Sequence, residues 1–226
     1  MKILIINPNS DEEMTKVIER NARNFAKGEY EVDCITNETA PAFVTTYNDI
    51  AETMPGLKKI IEEKEKYYDA FVIACHSDPN LDLLKELCDK PVVGVGEASL
   101  KIASMLGHKF SIIMASDKGI PNKELLVRKY GLINSLASFA VANNGESFNW
   151  QDQDNLILAA KKAIDEDMSE VIVLGCAGMG HVAGRMQEIL HVPVLDGVTC
   201  ALIIAVGLVK AGLSTSKVRR FKSLSK

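Results

Sequence analysis

Short apolar runs alternate with longer amphipathic stretches along the whole chain. Lys2–Ile6, Tyr30–Ile35, Ala70–Ala74, Pro91–Val95, Lys109–Met114, Leu136–Ala140, Val171–Leu174 and Val192–Leu195 have the length and the Val/Ile/Leu content of strands. Between and after them the spacing predicts helices over Asp11–Ala26, Asp49–Tyr67, Leu81–Cys88, Glu97–Leu106, Asn122–Tyr130, Gln151–Asp167, Met179–Leu190 and Thr199–Ala211. The first opens with Ser10 as N-cap and Glu13 three residues on, the pattern of a capping box. Pro55-Gly56 falls inside the second, whose main part is expected to begin there. Gly107 and Gly131 close two others. The tail Ser214–Lys226 is basic and is read as helical or loose.

Continuous apolar strands separated by helices define an α/β protein with parallel sheets. In such sheets ligands bind beyond the carboxyl ends of the strands, so the residues just after each strand carry the functional interest. Three segments also recur. Lys2-Ile3-Leu4-Ile5-Ile6-Asn7 resembles Lys109-Phe110-Ser111-Ile112-Ile113-Met114, and Phe71-Val72-Ile73-Ala74-Cys75 resembles Ile172-Val173-Leu174-Gly175-Cys176. Pro91-Val92-Val93-Gly94 resembles Pro193-Val194-Leu195-Asp196. The offsets are 107 (109−2), 101 (176−75) and 102 (193−91). A period of half the chain indicates two similar lobes and not a solenoid. The first lobe is assigned residues 1–97 with 198–226, and the second residues 98–197.

Composition narrows the function. The 226 residues carry 26 Lys and Arg against 30 Asp and Glu, a net charge of −4, with 47% hydrophobic and 25% charged residues. This is globular composition without the basic face of a nucleic-acid binder. The most apolar window, Val198–Val209, is twelve residues long, whereas a bilayer span needs about 20. It reads as a buried helix, and no membrane association is expected. The N-terminal run reads as a first strand and not a signal peptide. Five cysteines, an odd number, point to free thiols and a cytoplasmic setting. There is no C-x-x-C and no Cys/His cluster at zinc spacing, so no metal site is expected.

Two of the five cysteines stand apart. Cys75 opens Cys75-His76-Ser77-Asp78-Pro79-Asn80, and Cys176 opens Cys176-Ala177-Gly178-Met179-Gly180; each follows a strand and precedes a helix. A helix N-terminus favours an anion, which is expected to lower a thiol pKa from about 8.5 towards neutrality. The turns also offer backbone donors to an oxyanion. Two facing lobes would place the thiols on opposite sides of one crevice. That geometry suits inversion of an acidic C–H centre, with one thiolate removing a proton and one thiol delivering another to the opposite face. Cys34, Cys88 and Cys200 read as small buried hydrophobes.

These motifs resemble a known family. Ile6-Asn7-Pro8-Asn9-Ser10, Ala74-Cys75-His76-Ser77-Asp78-Pro79 followed by Leu81-Asp82, Pro91-Val92-Val93-Gly94-Val95-Gly96-Glu97-Ala98 and Gly175-Cys176-Ala177-Gly178-Met179 are similar to the hydantoin and allantoin racemases. These belong to the aspartate/glutamate racemase superfamily. The resemblance implies two lobes, each a four-stranded parallel sheet flanked by helices, with the active site in the crevice between them. It implies racemisation of a hydantoin-like cyclic ureide without a cofactor, with Cys75 and Cys176 as the acid/base pair. Amino-acid racemases of the superfamily usually carry Asn-Thr after the first cysteine and Thr after the second. Here His76-Ser77 and Ala177 stand in those places, which disfavours a free amino acid. The related decarboxylases keep a single cysteine, so retention of both disfavours that reaction.

Around the thiols the substrate-binding candidates are Asn7, Asn9, Thr46, His76, Ser77, Ser116, Ala177, Gly178 and Met179. Asn7 and Asn9 offer amides after the first strand, and Ser116 occupies the position equivalent to Asn9 in the second lobe. Thr46 belongs to a polar stretch, Thr45-Thr46-Tyr47, whose counterpart faces substrate in the resembling enzymes. Gly178 and Met179 would supply backbone N–H groups. His76 either tunes Cys75 or bonds the turn; His181 is expected to bond turn carbonyls, and Asp78 to cap the helix after it. A homo-oligomer is expected, with the apolar helix around Cys200 available to an interface. The alternatives to a ureide racemase are an aspartate/glutamate-type racemase and a non-catalytic small-molecule binder on the same scaffold.

Overall fold

A computed structural model describes residues 1–142 and 153–223. The strands are β1 (Lys2–Asn7), β2 (Glu31–Thr36), β3 (Ala70–Ile73), β4 (Val92–Gly94), β5 (Phe110–Met114), β6 (Leu136–Val141), β7 (Val171–Leu174) and β8 (Val194–Leu195). The helices are α1 (Glu12–Ala26), α2 (Tyr47–Lys64), α3 (Leu81–Leu87), α4 (Val95–Leu106), α5 (Ile120–Lys129), α6 (Gln153–Asp167), α7 (Ala183–Leu190) and α8 (Gly197–Lys210). Two parallel four-stranded sheets form, in the orders β2-β1-β3-β4 and β6-β5-β7-β8. Adding four to each strand number of the first sheet gives the second, so the repeat read from the sequence is a repeat of topology.

Every strand of the sheet centres is covered on both faces, which is why their sequences read as unbroken apolar runs. Side chains alternate between faces along a strand. Ile3 and Ile5 therefore pack with α1 and α8, while Leu4 and Ile6 pack with Leu57 and Ile61 of α2 and Leu84 of α3. In the second sheet Ile172 and Leu174 meet α6 and Met186, and Val171 and Val173 meet Leu126 and Val127 of α5. α4 joins the two cores: Val95 and Ala98 belong to the first, Leu100 and Ala103 to the second. α8 returns to the first sheet through Val198, Ala201 and Leu202.

Several ends differ from expectation for local reasons. Asp11, not Ser10, caps α1, its Oδ1 accepting from Met14 N at 3.0 Å. The Ser10 N–H instead donates to Pro41 O at 3.1 Å. The Met179–Leu190 stretch is not a single α-helix; a 3₁₀ turn over Ala177–Val182 precedes α7. Residues 151–152, expected to start the sixth helix, lie outside the described residues, as do 224–226 of the tail, whose preceding part forms turns. α2 runs without a break through Pro55, and its start lies earlier, at a capping box between Thr46 and Asp49. The side-chain amides of Asn80 and Asn37 donate to Ile50 O and Thr53 O, fixing the turn just before the proline.

Pro55-Gly56 thus marks a close approach and not a helix start. A Cβ on Gly56 would lie 1.9 Å from Asn37 Oδ1 and 2.7 Å from Thr39 Oγ1. Asn37 has little freedom to retreat, since its amide also donates to Pro8 O at 3.3 Å. Gly56→Ala is expected to cost about 1–3 kcal/mol by overpacking. For a chain of this size the thermal midpoint should fall by roughly 3–10 °C. A midpoint in differential scanning calorimetry equal to that of the parent chain would refute this account of the Pro-Gly pair.

Candidate active site

The two cysteines occupy equivalent places in the two lobes. Ala74 N donates to Ile6 O at 2.9 Å, and Gly175 N donates to Ile113 O at 2.9 Å. Each bond is the last of its central strand pair, and the next residue is the cysteine. Each cysteine then closes the same kind of turn, Asp78 N donating to Cys75 O at 2.9 Å and Met179 N to Cys176 O at 3.1 Å. Both side chains line one cavity of about 400 Å³ at the carboxyl ends of the strands. Asn9 after β1, Ser116 after β5, and His76, Ser77 and Ala177 also line it. These positions match the expectation that the residues following the strands converge.

Four candidates do not reach the cavity wall. Asn7 is wholly buried and its amide is consumed locally, donating to Thr15 Oγ1 at 2.9 Å and Asp11 O at 3.1 Å. Thr46 caps α2, with its hydroxyl accepting from Asp49 N; its neighbour Thr45 lines the cavity instead. Met179 has its side chain in the core of the second lobe and its N–H in the turn. Gly178 is not on the wall, but its N–H bonds the Cys176 sulfur. His181 bonds Gly178 O at 3.0 Å, as a turn residue would.

Asp78 does not cap the helix that follows it. It is 4% exposed and reaches across to α4, accepting from Gly96 N at 3.0 Å and Glu97 N at 2.6 Å. Tyr130, at the end of α5, donates its hydroxyl to Asp78 Oδ2 at 2.6 Å. The α4 start leaves no room for side chains: a Cβ on Gly94 would lie 2.2 Å from Asp78 Oδ1, and one on Gly96 2.6 Å from His76 O. Burial nevertheless pushes Asp78 up to about 6, against the lowering by its three donors.

The electrostatics of the thiols also depart from expectation. Burial pushes Cys75 up, and pushes Cys176 up to about 11, outweighing the bonds from Ser77 and Gly178. No helix N-terminus lowers Cys75, because α3 starts six residues further on. The group with the opposite effect is Lys123, which the sequence analysis missed. It is 5% exposed, lines the cavity and lowers both thiols by its charge. Its Nζ donates to His76 Nδ1 at 2.9 Å and to Ser77 Oγ at 3.4 Å. His76 Nε2 in turn lies 3.1 Å from Ser99 Oγ, whose hydroxyl donates to Val95 O at 2.8 Å. With Lys123 charged, the chain assigns the His76 proton to Nε2. Burial and the Lys123 charge hold His76 well below its usual range, so it is neutral. Burial in turn draws Lys123 down to about 8. The signal for Lys123 was present: Lys123, Leu126 and Val127 share the inward stripe of α5.

Met14, Phe43 and Val44 add apolar wall, and also escaped the sequence reading. Among the described residues no three His, Cys, Asp or Glu side chains gather to hold a metal ion, and no helix is long and apolar enough to cross a membrane.

The profile of the Asp/Glu/hydantoin racemase family matches residues 3–205. The chain is 38% identical to a hydantoin racemase of Paenarthrobacter aurescens over 228 residues, covering 98% of this chain and 97% of the relative. It is 36% identical to a hydantoin racemase of Pseudomonas sp. (strain NS671) over 227 residues, covering 98% and 91%. The structure of allantoin racemase from Klebsiella pneumoniae superposes with a TM-score of 0.92 at 30% identity, covering 100% of this chain and 94% of that one.

Folded Asp78 holds its proton more tightly than the unfolded chain, whose value is 3.8, so its ionisation withdraws stability as pH rises towards about 6. The Tyr130 bond offsets part of this loss by favouring the charged form. Tyr130→Phe is expected to cost on the order of 1.5–3 kcal/mol at about pH 8, where Asp78 is ionised, and clearly less at about pH 5. Urea unfolding at the two pH values measures both losses. Equal losses would mean that the hydroxyl does not act on the carboxylate.

Proposed function

The chain belongs to the Asp/Glu/hydantoin racemase family, and from that premise we propose that it racemises a hydantoin-like cyclic ureide, a 5-substituted hydantoin or allantoin, by a two-thiol mechanism. The observation that carries the reading is the equivalence of Cys75 and Cys176: the same strand end and turn in two lobes, with both side chains on one cavity. The thiolate of one cysteine takes the proton from the ring carbon. The electron pair spreads into the adjacent ring carbonyl, and the thiol of the other cysteine returns a proton to the opposite face. The first cysteine is now a thiol and the second a thiolate, so the reverse direction runs from the product state. Loss of the first thiol's proton to water and gain of a proton from water by the second thiolate restore the starting form.

The surroundings offer a ring both polar and apolar contacts. Ser77, Ser116 and Asn9 place hydroxyl and amide groups on the cavity wall, and Met14, Phe43 and Val44 add an apolar side for a ring substituent. His76 and Ser77 stand where the amino-acid racemases use Asn-Thr to hold a carboxylate, and Ala177 stands in place of a Thr. The five free thiols support a reducing, cytoplasmic setting.

Cys75→Ser and Cys176→Ser should each reduce racemisation by at least about 10²-fold, since general acid–base groups contribute on the order of 10²–10⁴. Each variant should still exchange the ring hydrogen of one enantiomer with solvent deuterium, and the two should differ in the hand they exchange. Polarimetry and proton NMR in deuterium oxide, over allantoin, 5-substituted hydantoins and free amino acids, read both quantities. Wild-type racemisation by either variant would remove the two-thiol mechanism, and turnover of free aspartate or glutamate alone would replace the substrate.

A further inference from the structure

Lys123 is a buried ammonium group that no carboxylate contacts. Among the described residues its side-chain partners are a neutral imidazole nitrogen and a hydroxyl, and it forms no ion pair with a carboxylate. Burying a charge without an opposite charge is costly, and the usual result is a neutralised lysine. Here two features favour the ammonium. His76 Nδ1 accepts one of its protons, and the His76–Ser99–Val95 chain fixes that acceptor to the start of α4. The second bond, to Ser77 Oγ, holds Nζ over the turn that Cys75 opens. A cation has thus been fixed beside a thiol that burial would otherwise keep protonated.

We propose that Lys123 is the counter-cation of the Cys75 thiolate, a positioning residue that lets Cys75 serve as the base. The proposal rests on the reading of Cys75 as an acid/base group. On ionisation the Cys75 proton leaves to water through the cavity. The ammonium keeps its three protons and remains hydrogen-bonded to His76 and Ser77. Of the other groups near Lys123, Asp78 favours the ammonium by its charge, but its oxygens are held by Gly96, Glu97 and Tyr130 and make no bond to Nζ, and Cys176 is a second thiol on the same cavity. Glu97 is bound by Lys85 and Lys101, and Glu124, on the same helix, by Arg128 at the surface. An ammonium and a thiolate in this place neutralise each other, and the site alternates between a paired state and one whose cation awaits an anion.

The test is alkylation by iodoacetamide, which reacts with thiolates, followed by mass spectrometry at each cysteine as a function of pH. In the wild-type protein the half-point for Cys75 should lie below that for Cys176. In Lys123→Met it should rise by about one unit or more, with capture at neutral pH slowed roughly ten-fold, as expected for loss of an adjacent opposite charge. Lys123→Arg should stay within about three-fold of the wild type, because the charge is kept. A folded Lys123→Met protein with an unchanged Cys75 profile overturns the proposal. So does a Lys123→Met protein that keeps the profile and loses only its affinity for a carboxylate-bearing hydantoin, since the cation would then serve the ligand. Should Lys123→Met fail to fold, the wild-type order decides: Cys176 ionising below Cys75 overturns the proposal. The readout does not require turnover. A protein inactive on every ureide but showing the Cys75 shift would retain the Lys123 assignment and lose the racemase reading.

Discussion

Asp78 carries a carboxylate into a place from which water is excluded, and three donors from other parts of the chain meet it there. Two are the first free N–H groups of α4, and the third is the hydroxyl of Tyr130 from the far end of α5. A buried carboxylate left without those donors would cost more than the turn could bear. The bonds therefore fix three things at once: the Cys75 turn, the entry of the helix shared by both cores, and the helix that bears Lys123. Gly94 and Gly96 follow from the same requirement, because the carboxylate and the turn carbonyl occupy the space of a side chain at both positions. The position of the first thiol relative to the second lobe is in this sense an outcome of one charged group finding its partners.

The second lobe reaches the same backbone turn by other means. Cys176 closes it with the same bond to the residue three positions on, but that residue is Met179 where the first lobe has Asp78. The helix that follows β8 is capped by its own Asp196, which accepts from Val198 N and Thr199 N. Backbone geometry is repeated while the polar support is not: the Cys75 turn brings His76 and Ser77 to the cavity and the Cys176 turn brings Ala177, while Lys123 reaches the wall from the second lobe.

The sequence displayed whatever depended on local pattern. Ile3–Ile6 and Val171–Leu174 announced buried strands because a strand covered on both faces must be apolar throughout. The paired thiols were visible because each follows such a strand directly. What stayed hidden depended on tertiary placement. The spacing of Lys123 with Leu126 and Val127 put it on the inward stripe of α5, but that it meets the Cys75 turn there depended on tertiary placement. Asp78 was read as a cap for the adjacent helix, since nothing in the chain says that α4 will lie closer. Pro55-Gly56 has the ordinary signature of a break, yet the glycine answers to Asn37 and Thr39 in a different segment. The helix-terminus argument for acidic thiols failed at Cys75 because proximity in sequence to α3 did not bring its N-terminus to the sulfur; at Cys176 the Gly178 N–H does reach the sulfur, and burial prevailed at both.

The one-sided decoration of a two-fold backbone has a kinetic consequence. Mirror-image ligands have equal free energies in water, so a racemase works at an equilibrium constant of one. The Haldane relation then requires the same kcat/KM for both hands, whatever the protein does. Here the turn beside Cys75 presents His76 and Ser77 and the turn beside Cys176 presents Ala177, so the two hands meet different partners. Any advantage one hand gains in binding must be returned, in equal proportion, in its turnover.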